Sequence, residues 1–466
     1  MTDSHVVPAS VLLNQPVSGW LDRWATFAVE QRAAALPRAV LDRTRLALLD
    51  SIGVIAAGMQ ETDVAALVAR RAQGGPASVI GSGAFASEGE AAFLGGLAGT
   101  TLELDEGNQF ARGHPAIHVV PAVLAAARDC DGMALLRALV LGYEIGSRIG
   151  IASRLRVTMH PHGTWGTVGA AVAAASLAGA DSARMANTIN IAAGLGIATS
   201  RRTMLEGATV RNSFAGLSNQ LGLLAWDMAC AGIKGEADAV ATVYGGIVAE
   251  DFSPGAMVED LGERWEIARN YFKMHAACRY THASLDVLQT LVAGEGGRID
   301  PDRIESIDVD TYIWAAQLDG PAPRTMLAGK FSIPFAIATT LVHGEASPEA
   351  FRPKALENPA ILDLAFRVRV REDSAMTSAL PAERPARLAI ALKDGRRLTG
   401  ETRVNRGDTE TPYAPDEILA KFRSLAHPVW GEAVSRAIER AVADLENAES
   451  CRSLMELLAT PPSMTR

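Results

Sequence analysis

Six of the nine histidines fall in three short stations punctuated by glycine or proline: His114 and His118 in GHPAIH, His160 and His162 in MHPHGTWG, His275 and His282 in KMHAACRYTH. Imidazole gives or takes a proton near neutral pH, so several of them placed on loops point to acid/base chemistry. Charged partners stand close by in sequence. Glu103 and Asp105 precede His114 and share a face if the segment is extended, while Lys273 and Arg279 flank the third station. Arginine holds a carboxylate through a bidentate fork and lysine does so as a point charge. A further cationic set, Arg201, Arg202 and Arg211, lies in ATSRRTMLEGATVRNSFAG. Each station alone has a plainer explanation: helix capping for the carboxylates, a turn for His-Pro-His, solvent exposure for Lys273 and His275.

Metal chemistry is the obvious competitor, and the spacings speak against it. There is no HExxH, and proline limits the geometry of His160 and His162. Cys130, Cys230, Cys278 and Cys451 are widely separated with no CxxC pair, so no disulfide framework, zinc knuckle or iron–sulfur cluster is expected. The second station opens a Gly-rich helix, a place where backbone N–H groups favour an anion. It is not a GxGxxG fingerprint, so a nucleotide is not expected. No metal and no cofactor are therefore assigned.

The elements that must position these groups are mostly helices. The chain has 466 residues, 48% of them hydrophobic, 21% charged and 5% aromatic, with a net charge of −9. That describes a globular protein without the basic footprint that nucleic acid or an anionic membrane surface requires. The first twenty residues lack a secretory pattern, so a cytoplasmic location is the expectation. The uncharged stretch 163–180 is rich in Ala, Gly, Ser and Thr and reads as a buried helix rather than a membrane span. From Trp20 to Tyr271 apolar residues recur at helical spacing, as in 41–59, 133–155 and 182–199. Beyond Arg298 the period becomes two: 307–313 (IDVDTYI) predicts a strand, Phe366, Val368 and Val370 alternate with arginines, and Asp394-Gly395 predicts a hairpin. A helix at 332–342 lies among these strands. Helical periodicity returns from 415 to 458, with a long helix starting at Gly431. The pattern predicts a mainly α protein: a helical body into which a small α/β unit is inserted.

Taken in order, LELDEG, GHP with VVPAVLA, MHPHGTWGTVGAA, GATVRNSFAGLSNQLGLLAWDMACAGIKG, FKMHAACRYTHASLD and GKFSIPFAIA resemble the MmgE/PrpD family over nearly the whole chain. Its members include 2-methylcitrate dehydratases, cis-aconitate decarboxylases and iminodisuccinate epimerases. The resemblance implies a large all-α domain (1–271 and 413–466), a smaller α/β lid domain (272–412), a homodimer, and an active site between the domains without an iron–sulfur cofactor. It places catalytic roles on Asp105, His114, His160 and His282, and substrate binding on Glu103, Arg211, Lys273 and Arg279. His118, His162 and His275 would shape the pocket. Arg211 stands where dehydratase and decarboxylase members usually have lysine, and arginine does not readily lose a proton. The implied ligand is a small anionic carboxylate. The expected reaction is that of a hydro-lyase, with epimerisation or decarboxylation as alternatives and a non-catalytic carboxylate-binding homologue as the reading from a different class.

Overall fold

Small residues set the spacing of the helices that carry the stations. The computed structural model describes residues 19–127 and 129–463. Helices Glu88–Thr101 and Ser213–Cys230 cross at Gly96 and Gly216, where a Cβ on Gly96 would stand 2.7 Å from the Gly216 backbone. Helices Gly132–Ala152 and Gly166–Leu177 meet through Gly142 and Gly169, and a Cβ on Gly142 would lie 2.6 Å from the Gly169 carbonyl. Such close approach brings backbone as well as side chains into dispersion contact. Asp131 and Asp181 cap helices Gly132–Ala152 and Ser182–Gly194 by accepting from the N–H groups of Ala134 and Arg184. Helix Arg38–Gly58 packs on helix Pro415–Ala443, with Phe422 over Gly53, so the last helices close on the first. One core runs through these elements, from Trp20 and Trp24 to Tyr143, Trp165 and Phe422.

The expectation of an all-α larger body needs a correction. It contains two short antiparallel ribbons, β1 (Ala77–Val79) with β2 (Ala84–Ala86), and β3 (Ser153–Leu155) with β4 (Ala249–Phe252). The first turns through Gly81 and Gly83, both at positive φ, in a segment too short to show a period of two. The helix expected over 163–180 spans Gly166–Leu177 and is buried. Among the described residues no single helix is long and apolar enough to cross a membrane.

The segment 304–402 builds a four-stranded sheet in the order β6-β5-β7-β8, from β5 (Ile304–Thr311), β6 (Val368–Glu372), β7 (Ala386–Leu392) and β8 (Arg397–Thr402). Strands β5 and β6 are parallel and the other pairs antiparallel. Ile307, Val309 and Thr311 are buried while Asp308 and Asp310 are only half-buried, which is the alternation the sequence carries. Gly395 turns the β7–β8 hairpin with φ of 86°. Helices Arg279–Gly294 and Ile333–His343 cover the sheet and complete a second core with Ile307, Phe335, Phe351 and Leu388. Two strand ends differ from expectation. Ile313 opens a helical turn, Ile313–Ala316, and Phe366 caps helix Pro359–Ala365 with 65% of its surface exposed. The chain passes between the two cores at two points that touch. A Cβ on Gly407, at φ of 94°, would meet the Phe272 carbonyl at 2.6 Å. Helix Pro415–Ala443 breaks at Gly431 (φ 75°, ψ 168°), where the expected long helix begins.

Candidate active site

A cavity of about 500 Å3 is walled from both cores: Glu103, His114, His160 and Arg211 on one side, Arg279, Tyr312, Trp314 and Arg384 on the other. Its floor is built where helix Glu88–Thr101 ends. Glu103 takes φ of 56°, a left-handed conformation rare outside glycine and asparagine. Two buried lysines hold the segment around it. Lys330 Nζ donates to the Thr101 carbonyl at 3.0 Å and Lys421 Nζ to the Leu104 carbonyl at 2.6 Å. Burial pushes the Lys330 ammonium down to about 7. Lys421 also pairs with buried Asp50 at 2.6 Å, and burial moves both toward their neutral forms, the lysine down and the carboxyl up.

From this floor Asp105 Oδ2 lies 3.1 Å from His114 Nδ1, which also faces the Glu106 carbonyl at 2.8 Å. Two acceptors around Nδ1 place the proton there and leave Nε2 as the basic nitrogen. Burial pushes the Asp105 carboxyl up, but His114 and Lys273 outweigh it and hold it well below the usual range. Lys273 Nζ stands 3.6 Å from Asp105 and 3.5 Å from Glu103, and Glu103 is ion-paired with Arg211. Glu106 supports the turn from below, accepting from Ala116 N, Tyr143 Oη and Asn270 Nδ2; burial drives its carboxyl to about 8 in spite of these donors. Mutual backbone bonds between Gly107 and Tyr271, at 3.0 and 2.7 Å, tie the first station to the third.

The second station adds a row of imidazoles. His162 meets His114, His118 and His160 edge to face at centroid distances of 4.9, 4.8 and 4.8 Å. His160 Nδ1 accepts from the His162 backbone N–H at 3.1 Å, so the ring carries its hydrogen on Nε2. Burial and then the Arg211 charge hold His160 and His162 well below the ordinary histidine value, and burial takes His118 to about 3. His118, His160 and His162 are therefore neutral at physiological pH.

The third station divides. Arg279 lines the cavity, anchored to Asp408 at 2.6 Å and stacked on Tyr271 at 4.4 Å. His282 does not line it. Its Nδ1 accepts from Arg279 at 3.1 Å and its Nε2 donates to the Ala277 carbonyl at 3.1 Å, so both nitrogens are engaged. The structure thus places His282, expected as a proton carrier, behind Arg279 and not on the cavity wall. His275 pairs with Asp286 at 3.1 Å, away from the cavity.

Residues 22–254 match the MmgE/PrpD N-terminal domain and residues 275–447 match the MmgE/PrpD C-terminal domain. The chain belongs to the MmgE/PrpD family. Relatives of this MmgE/PrpD protein include the cis-aconitate decarboxylase-like protein oryM of Aspergillus oryzae, 26% identical over 95% of this chain and 97% of that one. The cis-aconitate decarboxylase of Aspergillus terreus is 25% identical over 91% and 93% of the two chains, and that of Mus musculus 23% over 80% and 78%.

Within this MmgE/PrpD site, Asp105, His114 and His162 offer ligand atoms within 4.8 Å of one another, a spacing that would admit a metal ion. The surroundings suit proton transfer better. Asp105 already faces the Lys273 ammonium, and Arg211 stands on neighbouring Glu103, so a dication would meet two fixed cations. Several wall residues have no sequence signal: Arg384 in PAERP, Trp314, and Tyr271, Tyr280 and Tyr312. Lys330 stands inside GKFSIPFAIA, a motif that carries the family resemblance, and its contact with Thr101 lies 229 residues away.

Proposed function

We propose that the protein is an acid–base lyase that moves a proton at the carbon adjacent to a carboxylate of a small di- or tricarboxylate. The observation that carries this reading is the Asp105–His114 pair on an arginine-walled cavity. Such a carbon acid is weak, so the base must act beside groups that stabilise the developing enediolate. His114 Nε2 takes the proton, and the Asp105 carboxylate stabilises the imidazolium that forms. The Nε2–H of neutral His160 supplies a donor for an enediolate oxygen, while Lys273, which does not line the cavity, holds Asp105 and Glu103 from behind. Arg211, held by Glu103, and Arg279, held by Asp408 and His282, are fixed cations for carboxylates and not proton carriers.

Two outcomes use this machinery. In dehydration the enediolate expels a hydroxyl from the neighbouring carbon, and this is the first reading. In decarboxylation carbon dioxide leaves first and the carbanion takes a proton from Nε2 of a His114 that enters the reaction as the imidazolium, returning it to the neutral ring; the names of the relatives favour this second reading. The test is a panel of hydroxylated and unsaturated di- and tricarboxylates in deuterated water, followed by NMR. A new alkene with all carbons retained marks dehydration, and loss of a carboxyl carbon with one deuterium gained marks decarboxylation. Exchange without net conversion marks epimerisation. Neither exchange nor conversion with any member of the panel overturns the lyase reading and leaves a carboxylate-binding protein.

A further inference from the structure

Most arginines around the cavity are already committed. Arg211 pairs with Glu103, Arg279 with Asp408 and Arg154 with Glu250, while Arg112 and Arg156 donate to backbone carbonyls. Arg201 and Arg384 are different: among the described residues neither has a carboxylate within ion-pair distance, yet both line the cavity. The Arg201 guanidinium stacks on Trp314 at 4.4 Å, and its Nε and Nη2 atoms are buried with no hydrogen-bond acceptor. Those two nitrogens form the edge whose parallel N–H bonds match the two oxygens of a carboxylate. Arg384 is 7% exposed, and among the described residues its guanidinium makes one hydrogen bond, from Nη2 to the Gln109 carbonyl at 3.2 Å. Tyr271, Tyr280 and Tyr312 share its wall. A buried guanidinium without a counter-ion is costly, and an anionic ligand removes that cost.

We propose that Arg201, flattened on Trp314, and Arg384 form a distal anion subsite that binds the ligand's carboxylates remote from the reacting carbon, so that the cavity selects polycarboxylates by charge number. The inference deepens the lyase reading and rests on it for what happens at His114. The binding it describes is measured separately.

The experiment is calorimetric titration of the full chain with tricarballylate, glutarate and butyrate, which carry three, two and one carboxylates on similar skeletons. Native protein is expected to bind them in that order, with steps of about tenfold. Arg384→Met and Arg201→Gln are each expected to weaken tricarballylate about tenfold or more and to leave butyrate unchanged. Trp314→Leu, which removes the stacking face at a partly exposed position, is expected to act like Arg201→Gln. Native protein that does not distinguish the three probes overturns the subsite, as does retention of full tricarballylate affinity by Arg201→Gln and Trp314→Leu. A variant that loses all three probes equally, with its circular dichroism intact, counts against it as well. If Arg384→Met does not fold, Arg201→Gln and Trp314→Leu decide. Charge-selective binding with neither deuterium exchange nor conversion retains the subsite and removes the lyase reading; exchange or conversion with no charge selectivity does the reverse.

Discussion

His114 and His160 both turn Nδ1 to their neighbours, one as donor and the other as acceptor, and that difference divides their work. His114 spends Nδ1 on Asp105 and the Glu106 carbonyl, whereas His160 spends Nδ1 as an acceptor and keeps hydrogen on Nε2. His114→Gln is therefore expected to lower kcat by about 10²–10⁴-fold with an unchanged unfolding midpoint, read by steady-state turnover and urea titration. Asp105→Asn removes the charge that stabilises the imidazolium, and a loss of similar size is expected in the same assay. His118 makes a cleaner thermodynamic prediction. Its folded pKa of about 3 lies below the unfolded value of about 6.5. Its neutral burial thus contributes stability that is complete above pH 6.5 and lost as pH falls toward 3, because the unfolded chain takes up the proton first. His118→Gln should flatten the dependence of unfolding free energy on pH in that window by up to about 1.4 kcal/mol per pH unit. Equal slopes for the two proteins would refute it.

At the scale of elements, the site depends on segments that grip backbone rather than side chains. Lys421 reaches from helix Pro415–Ala443 to the Leu104 carbonyl and to Asp50. Lys421→Met leaves that carboxyl buried without its cation and is expected to cost about 3–5 kcal/mol in urea unfolding, part of which a second change, Asp50→Asn, should restore. Gly216→Val drives a side chain into the backbone of helix Glu88–Thr101, with Phe93 O at 2.3 Å from the new Cβ. A loss of about 1–3 kcal/mol and a fall in kcat are expected, since Thr101 and Arg211 lie beside that crossing. The same elements explain what could be read without coordinates. The helical body, strand β5, the Gly395 hairpin and the Asp105 and His114 stations announce themselves through period, turn chemistry and residue type. Arg384, Trp314 and Lys330 do not, because their meaning comes from contacts across more than a hundred residues and no local pattern records a missing counter-ion. The place of His282 behind Arg279 is not legible for the related reason that a histidine in a motif looks alike whether it faces a cavity or an arginine.

Across the whole molecule the cavity walls come from two cores, so a ligand that fills it joins them. Tricarballylate at about 100 times its Kd is expected to add about 2.7 kcal/mol to the unfolding free energy. Hydrogen exchange should then slow both near residues 107–114 and near residues 312–316, and slowing confined to one side would contradict the bridging geometry. The touching passages at Phe272 and Gly407 carry a different consequence. Because the chain leaves and re-enters the helical body at one place, the sheet-bearing segment has the wiring of a cassette. Exchanged for the equivalent stretch of a relative, it would carry Trp314 and Arg384 with it and leave Asp105 and His114 behind. Such chimaeras would keep the proton chemistry of one parent but split the distal subsite, since Arg201 stays in the helical body, and their ligand preference would depend on how well Trp314 and Arg384 of one parent meet Arg201 of the other.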